Sequence, residues 1–327
     1  MQEAAGPTVL VNETVDYALS VVVLPAIVGV VAAAPAMFGP LRRRSAAVEC
    51  CVAFAVAIAF TVSFTRELGI EALLRQLVTL EGDVMPIERW HRLGLVAAGL
   101  AVVGPVLAAL QAALASRRAE RVVGVVGAVA VSAASVFVVE FPRATVGGEA
   151  MVAVVAVCST LGFMLFARTG ALWCAWLVFA ALAALSIMSG FASLAVMCAA
   201  VSAGACAIGV LGFAGGHLAR DAAPIEASGA LAVVLGVLAA LCAACGRAYD
   251  MIGLPAWSWL VVALIPLGGA MFTGLSRRAP SREATTFWRV LGAVILTILL
   301  LVGTQIAMQG GDSDAEDAGD PMDGIYG

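Results

Sequence analysis

The residues of this chain that could do chemistry crowd into one short run. Glu81, Asp83, Glu88, Arg89, His91 and Arg92 fall within twelve positions, with Trp90 among them. Carboxylates and an imidazole could serve as acid and base, and guanidinium groups could hold a phosphate or an anionic lipid headgroup. The run equally suits a structural task in which Trp90 and the arginines fasten a helix end to a membrane surface. No spacing in it matches a catalytic constellation. The structural reading is favoured, and no catalytic residue is assigned.

The other reactive side chains are informative by what they exclude. His91 and His217 are the only histidines, too few for a bis-histidine haem pair or a histidine metal cluster within the membrane. The cysteines, Cys50, Cys51, Cys158, Cys174, Cys198, Cys206, Cys242 and Cys245, lie in or beside apolar stretches and read as small buried hydrophobes. Cys242-Ala-Ala-Cys245 has redox-motif spacing without the soluble context that gives that spacing meaning. Neither cofactor nor metal is expected.

The elements that position these residues follow from composition. Hydrophobic residues make up 62% of the 327 positions and charged residues 12%, against about 45–50% and about 25% in soluble domains. The expected class is an all-α, polytopic membrane protein. Crossing the hydrocarbon takes about 20 apolar residues, and ten segments qualify: 17–38, 46–64, 93–114, 122–139, 151–167, 171–187, 191–213, 227–245, 254–275 and 290–308. The sixth and seventh are divided by Met188, Ser189 and Gly190 alone, which must form a tight hairpin. No acidic or basic residue occupies the middle third of any segment. A charge there costs about 2.5–3.5 kcal/mol and is kept for a task, so its absence argues against a proton pump, an antiporter-like subunit and an intramembrane aspartyl protease.

Domain organisation is simple. Residues 1–16 are a short polar segment, 17–308 the membrane domain, and 309–327 an acidic tail. The first segment lacks the basic start and small-residue cleavage site of a signal peptide. The six acids after Gln309 turn a body of +2 into the formal −4 of the whole chain, and so polar a tail is expected to stay unfolded. The 18 basic residues are all arginine, which reads as codon bias. One set of connections holds twelve of them and the other six, so the positive-inside rule places both termini outside a bacterial inner membrane.

Residues 65–92 form the longest internal polar stretch, placed outside by this topology. Leu68, Ile70, Leu73, Leu74, Leu77 and Val78 recur near helical spacing, with Glu67, Glu71 and Arg75 opposite. The expectation is an amphipathic helix lying on the outer leaflet. All six tryptophans are assigned to the interfacial belts. Pro25, Pro35, Pro105 and Pro266 are candidate helix breaks, and Gly212/Gly216, Ala270/Gly274 and Gly124/Gly127 are candidate packing faces. No five-plus-five repeat is evident.

The remaining polar groups inside the segments, among them Ser132, Ser135, Ser159, Thr160, Ser186, Ser202, Thr297, Thr304 and Gln305, suit helix–helix bonding or a path for a neutral solute. Three functions are therefore weighed. The first is permease-like handling of a neutral or amphiphilic solute, the second a non-catalytic subunit or scaffold, and the third an enzyme acting on a lipid-linked substrate through the Glu81–Arg92 run. An enzyme is the less favoured class. The expected partners are the lipid bilayer and other membrane subunits, with no nucleic acid.

Overall fold

The computed structural model describes residues 15–38, 45–78, 86–114, 117–139, 146–166, 168–218, 229–271 and 282–316. Its elements are a π turn Leu19–Val23 leading into α1 (Leu24–Phe38), α2 (Ser45–Leu68), α3 (Ile70–Val78), a 3-10 turn Pro86–His91 leading into α4 (Arg92–Ala113), α5 (Arg117–Val139), α6 (Val146–Met164), α7 (Arg168–Met188), α8 (Ala192–Leu218), α9 (Gly229–Ala248), α10 (Ala256–Met271) and α11 (Arg282–Glu316). Within the described residues a helix occupies each of the ten expected segments. Eight are long and apolar enough to cross a membrane, and the apolar parts of α5 and α10, Val122–Val136 and Ala256–Met271, are shorter. The chain is an all-α, multi-pass membrane protein.

Helix α5 is shortened in this sense because its first turns carry Arg117, Arg118, Glu120 and Arg121. Helix α11 continues to Glu316, and residues 317–327 of the acidic tail lie outside the described residues. The division between the sixth and seventh segments is explicit. Ser189 N–H donates to Leu185 O at 2.8 Å and Phe191 N–H to Ser186 O at 2.8 Å, while Gly190 adopts a φ of 80°. This left-handed closure satisfies the last carbonyls of α7 and reverses the chain within three residues.

Helix α9 is the axis of the bundle. It touches α2, α4, α5, α6, α7, α8 and α10, and 94% of its apolar window is buried, against 28% for the first segment. Its composition explains this placement. From Gly229 to Cys245 every residue is Gly, Ala, Val, Leu or Cys, so neighbours can approach from all sides without meeting a long or polar side chain. At Gly236 a Cβ would collide with the Oγ1 and backbone of Thr160 on α6, and at Gly229 it would lie 3.1 Å from the Gly124 backbone of α5. Of the expected packing glycines, Gly124 and Gly127 do meet neighbours, the latter against Leu107. The side chains around 216 and 274 lie outside the description.

The first segment is built in the opposite way. Val15, Leu19, Val23, Ile27 and Val31 form an exposed apolar stripe at four-residue intervals, the lipid face of a peripheral helix. Pro25 has no N–H to offer the carbonyl four residues earlier, that of Val21. The preceding turn widens to π geometry, and the Val21 carbonyl accepts instead from buried Ser63 Oγ of α2 at 2.7 Å. Pro35, Pro105 and Pro266 lie inside helices that continue through them. The irregularity expected at four prolines is concentrated at one.

Candidate functional site

The sequence-selected run is carried by the turn between the surface helix and α4. Residues 81–85 lie outside the described residues, so Glu81 and Asp83 have no described placement. Glu88 belongs to the 3-10 turn, its side chain undescribed. Arg89, Trp90, His91 and Arg92 are described. Trp90 is 8% and Arg92 5% exposed, so both point into the bundle. This corrects the assignment of every tryptophan to the interfacial belt. Trp259 is likewise buried, whereas Trp176, Trp257 and Trp288 are exposed as belt residues should be.

What Trp90 enters is a connected set of rings. Its indole meets Phe64 of α2 at 6.2 Å, His91 at 4.6 Å and Phe191 of the α7–α8 hairpin at 5.0 Å, all near edge-to-face. Phe64 also meets His91 at 6.1 Å, and Phe191 meets Tyr249, beyond the end of α9, at 5.8 Å. Each such pair contributes about 0.5–1.5 kcal/mol beyond its buried area. Five rings from four places in the chain thus tie α2, α4, α8 and α9 together at one end of the bundle. Gly94 permits the approach, since any Cβ there would lie 2.8 Å from the Phe64 ring.

Two carboxylates that lie outside the sequence-selected run complete this end. Glu67, in the last turn of α2, accepts from Tyr17 Oη at the start of the first segment and from Ser193 Oγ of α8 at 2.9 Å. Asp250 accepts on Oδ1 from the N–H groups of Ile252 at 3.0 Å and Gly253 at 2.9 Å, and on Oδ2 from Leu254 N–H at 2.7 Å and the Trp259 indole N–H at 3.4 Å. Gly253, at a φ of 84°, lets the backbone curl around that carboxylate. Met251 N–H then donates to Ser189 O at 3.2 Å, joining this loop to the α7–α8 hairpin.

Burial pushes the Tyr249 phenol up to about 12, with Cys245 adding to the rise, and a backbone hydrogen bond at Trp90 and the charge of Arg89 acting against it. The phenol therefore stays protonated at neutral pH. Chemically this end is a knot of rings and hydrogen-bonded carboxylates. It brings Arg89, His91 and Arg92 together, but around a packed interior.

Many of the buried hydroxyls inside the bundle are also engaged, while Ser159 Oγ of α6 and Ser186 Oγ of α7 are buried without a hydrogen-bond partner. Ser132 of α5 and Thr160 of α6 share a hydrogen bond of 3.2 Å, and Ser258 of α10 and Thr304 of α11 one of 2.8 Å. Ser202 of α8 donates to Trp176 O of α7 at 2.9 Å, while Ser135 and Thr297 turn back on their own helices. At the opposite end Arg289 of α11 donates to Leu165 O, just past the last turn of α6, a favourable place for a cation beside a helix C-terminus. Among the described residues no cluster of His, Cys, Asp and Glu has the geometry to hold a metal ion. Glu67 and Asp250 are invisible to motif reasoning because their partners are set by the fold. Comparison with models of known protein families and with curated proteins finds no match to this chain.

Proposed function

We propose that this protein serves as a non-catalytic, membrane-embedded subunit that scaffolds a larger membrane assembly. The observation that carries the reading is the axis of the bundle. A carrier needs a polar or water-accessible route near mid-membrane, and carriers commonly build it from broken helices. Here the axial position is held by α9, apolar along its buried length and enclosed on all sides. Of the hydroxyls that could have lined a path, Ser132, Thr160, Ser202 and Thr304 bond across helices instead, which leaves Ser159 and Ser186 as buried hydroxyls without a partner. The arginine bias supports an orientation with both termini, and the ring knot, on the outer face of a bacterial inner membrane.

The test is native mass spectrometry of the tagged protein extracted from its own membranes in lipid nanodiscs. A complex of fixed stoichiometry is expected. A lone monomer at every extraction condition would overturn the reading.

A second reading, handling of an amphiphilic solute, draws on the first segment, whose π turn, Pro25 and lipid-exposed stripe make it irregular and one of the three least embedded spanning helices. Any such route would run along the protein–lipid boundary. Proteoliposomes should show no solute flux above empty vesicles on the scaffold reading, and a saturable flux abolished by changes at Tyr17 or Ser63 on the second.

A further inference from the structure

The surface helix α3 is divided into three faces, and the division identifies what each one meets. Taking Ile70 as the origin and about 100° per residue, Leu74 lies at about 40°, Glu71 and Arg75 at about 100° and 140°, and Ala72, Gln76 and Leu73 between about 200° and 300°. The third arc is the protein face. Gln76 is 2% exposed, and Ala72 and Leu73 pack on the core, where α3 leans on α2, α4 and the 3-10 turn. The other two arcs are both exposed and of opposite character. Ile70 and Leu74 are 62% and 51% exposed, and Glu71 and Arg75 are a solvent-facing pair 3.9 Å apart.

A helix with a single amphipathic split has two neighbours; one with three sectors about 120° apart has three. Helix α3 begins one residue after α2 ends. Gly69, at a φ of 83°, is the whole connection between a spanning helix and this one, which fixes α3 at the depth where the bilayer gives way to water. The protein wall takes one sector, and lipid and water remain for the other two.

We propose that Ile70 and Leu74 are inserted into the leaflet at this end of the bundle, with Glu71 and Arg75 in the aqueous phase above. The apolar arc differs from the one read from sequence, because Leu73 turns to the protein. The flanking charges Arg66, Glu67, Glu71 and Arg75 balance, so the contact is with acyl chains and glycerol backbone, without preference for anionic headgroups. This inference is independent of whether the protein is a subunit or a carrier.

The experiment places benzoylphenylalanine singly at Ile70, Leu74, Glu71 and Arg75 of the full chain in phosphatidylcholine nanodiscs, irradiates, and weighs the products. Lipid adducts are expected to be severalfold more abundant at 70 and 74 than at 71 and 75. Equal labelling at the four positions, or adducts to a second copy of the chain at 70 and 74, would overturn the proposal. Should the substituted proteins fold poorly, methyl NMR of the unsubstituted protein decides the point. A nitroxide on the lipid chain should broaden the Ile70 and Leu74 methyl signals more than a water-soluble gadolinium chelate does, and the reverse order sinks the assignment.

Discussion

The middle of the bundle and its α3 end are held together by different physics. Around α9 the contacts are non-directional: glycines and alanines let helices close to backbone distance, and the attraction is dispersion summed over many atoms. At the α3 end the contacts are directional, with edge-to-face rings around Trp90 and carboxylates that collect two donors at Glu67 and four at Asp250. The difference tracks the solvent. In lipid, apolar contact brings no hydrophobic gain and fit is what distinguishes neighbours, whereas near water polar groups can be recruited at lower desolvation cost. The middle should be intolerant of volume, and the end intolerant of lost acceptors.

The sharpest way to break this comparison is to add one methyl group at the axis. Gly236→Ala drives its Cβ into the Thr160 backbone, and overpacking that only backbone movement can relieve should cost about 3 kcal/mol. Thermal unfolding in detergent should show a large drop in midpoint, and an unchanged midpoint would mean that α6 and α9 are not closely packed. At the other end, Asp250→Ala orphans four donors and should cost about 2 kcal/mol. Asp250→Asn should recover part of it, since one oxygen acceptor survives.

Removing Ser63 Oγ tests a single bond within the membrane. Ser63→Ala strands the Val21 carbonyl that Pro25 has already deprived of its helical partner, at about 1 kcal/mol, read by chemical unfolding. Valine at Ser63 should be no better.

Tyr249 gives a pH signature in place of a mutational one. Its phenol is raised from near 10 to about 12, so the native state binds its proton more tightly than the unfolded chain. The associated stability is complete below pH 10 and is lost as pH rises toward 12. Unfolding midpoints across that window should fall for the wild type and fall less for Tyr249→Phe. The smallest effect belongs to the lipid face of the first segment, where Val31→Leu should move stability by less than about 0.5 kcal/mol.

Much of the architecture was legible in the residues. The period and length of the apolar runs located every helix, and Met188-Ser189-Gly190 announced its hairpin because a three-residue reversal needs a residue that accepts positive φ. Trp90 and Trp259 misled because a tryptophan at a helix end looks the same whether its ring faces headgroups or a neighbouring helix. For Trp90 the difference lies in Phe64 and Phe191, far off in the chain, with Gly94 leaving room for the Phe64 ring. Glu67 was assigned to the polar side of an amphipathic loop, yet its partners stand 50 and 126 residues away. Asp250 sits in a loop too short for periodicity to mark. Of the candidate site, the clustering of Arg89, His91 and Arg92 was readable, while the inward direction of Trp90 and Arg92 depends on tertiary contacts that no local pattern encodes.

The central position of α9 also bears on how the molecule is made. It is the eighth of the ten membrane helices to leave the ribosome, yet it occupies the axis. The seven helices before it include five main walls of its enclosure, α2, α4, α5, α6 and α7, which face one another across a slot until it arrives. Those walls cannot reach their final packing during the first two thirds of synthesis. The nascent protein must either hold an unfilled, lipid- or chaperone-occupied cleft, or keep its early helices loosely associated. Chains halted before Gly229 should therefore be far more open to protease and membrane quality control than chains halted just after Ala248 has cleared the insertion machinery.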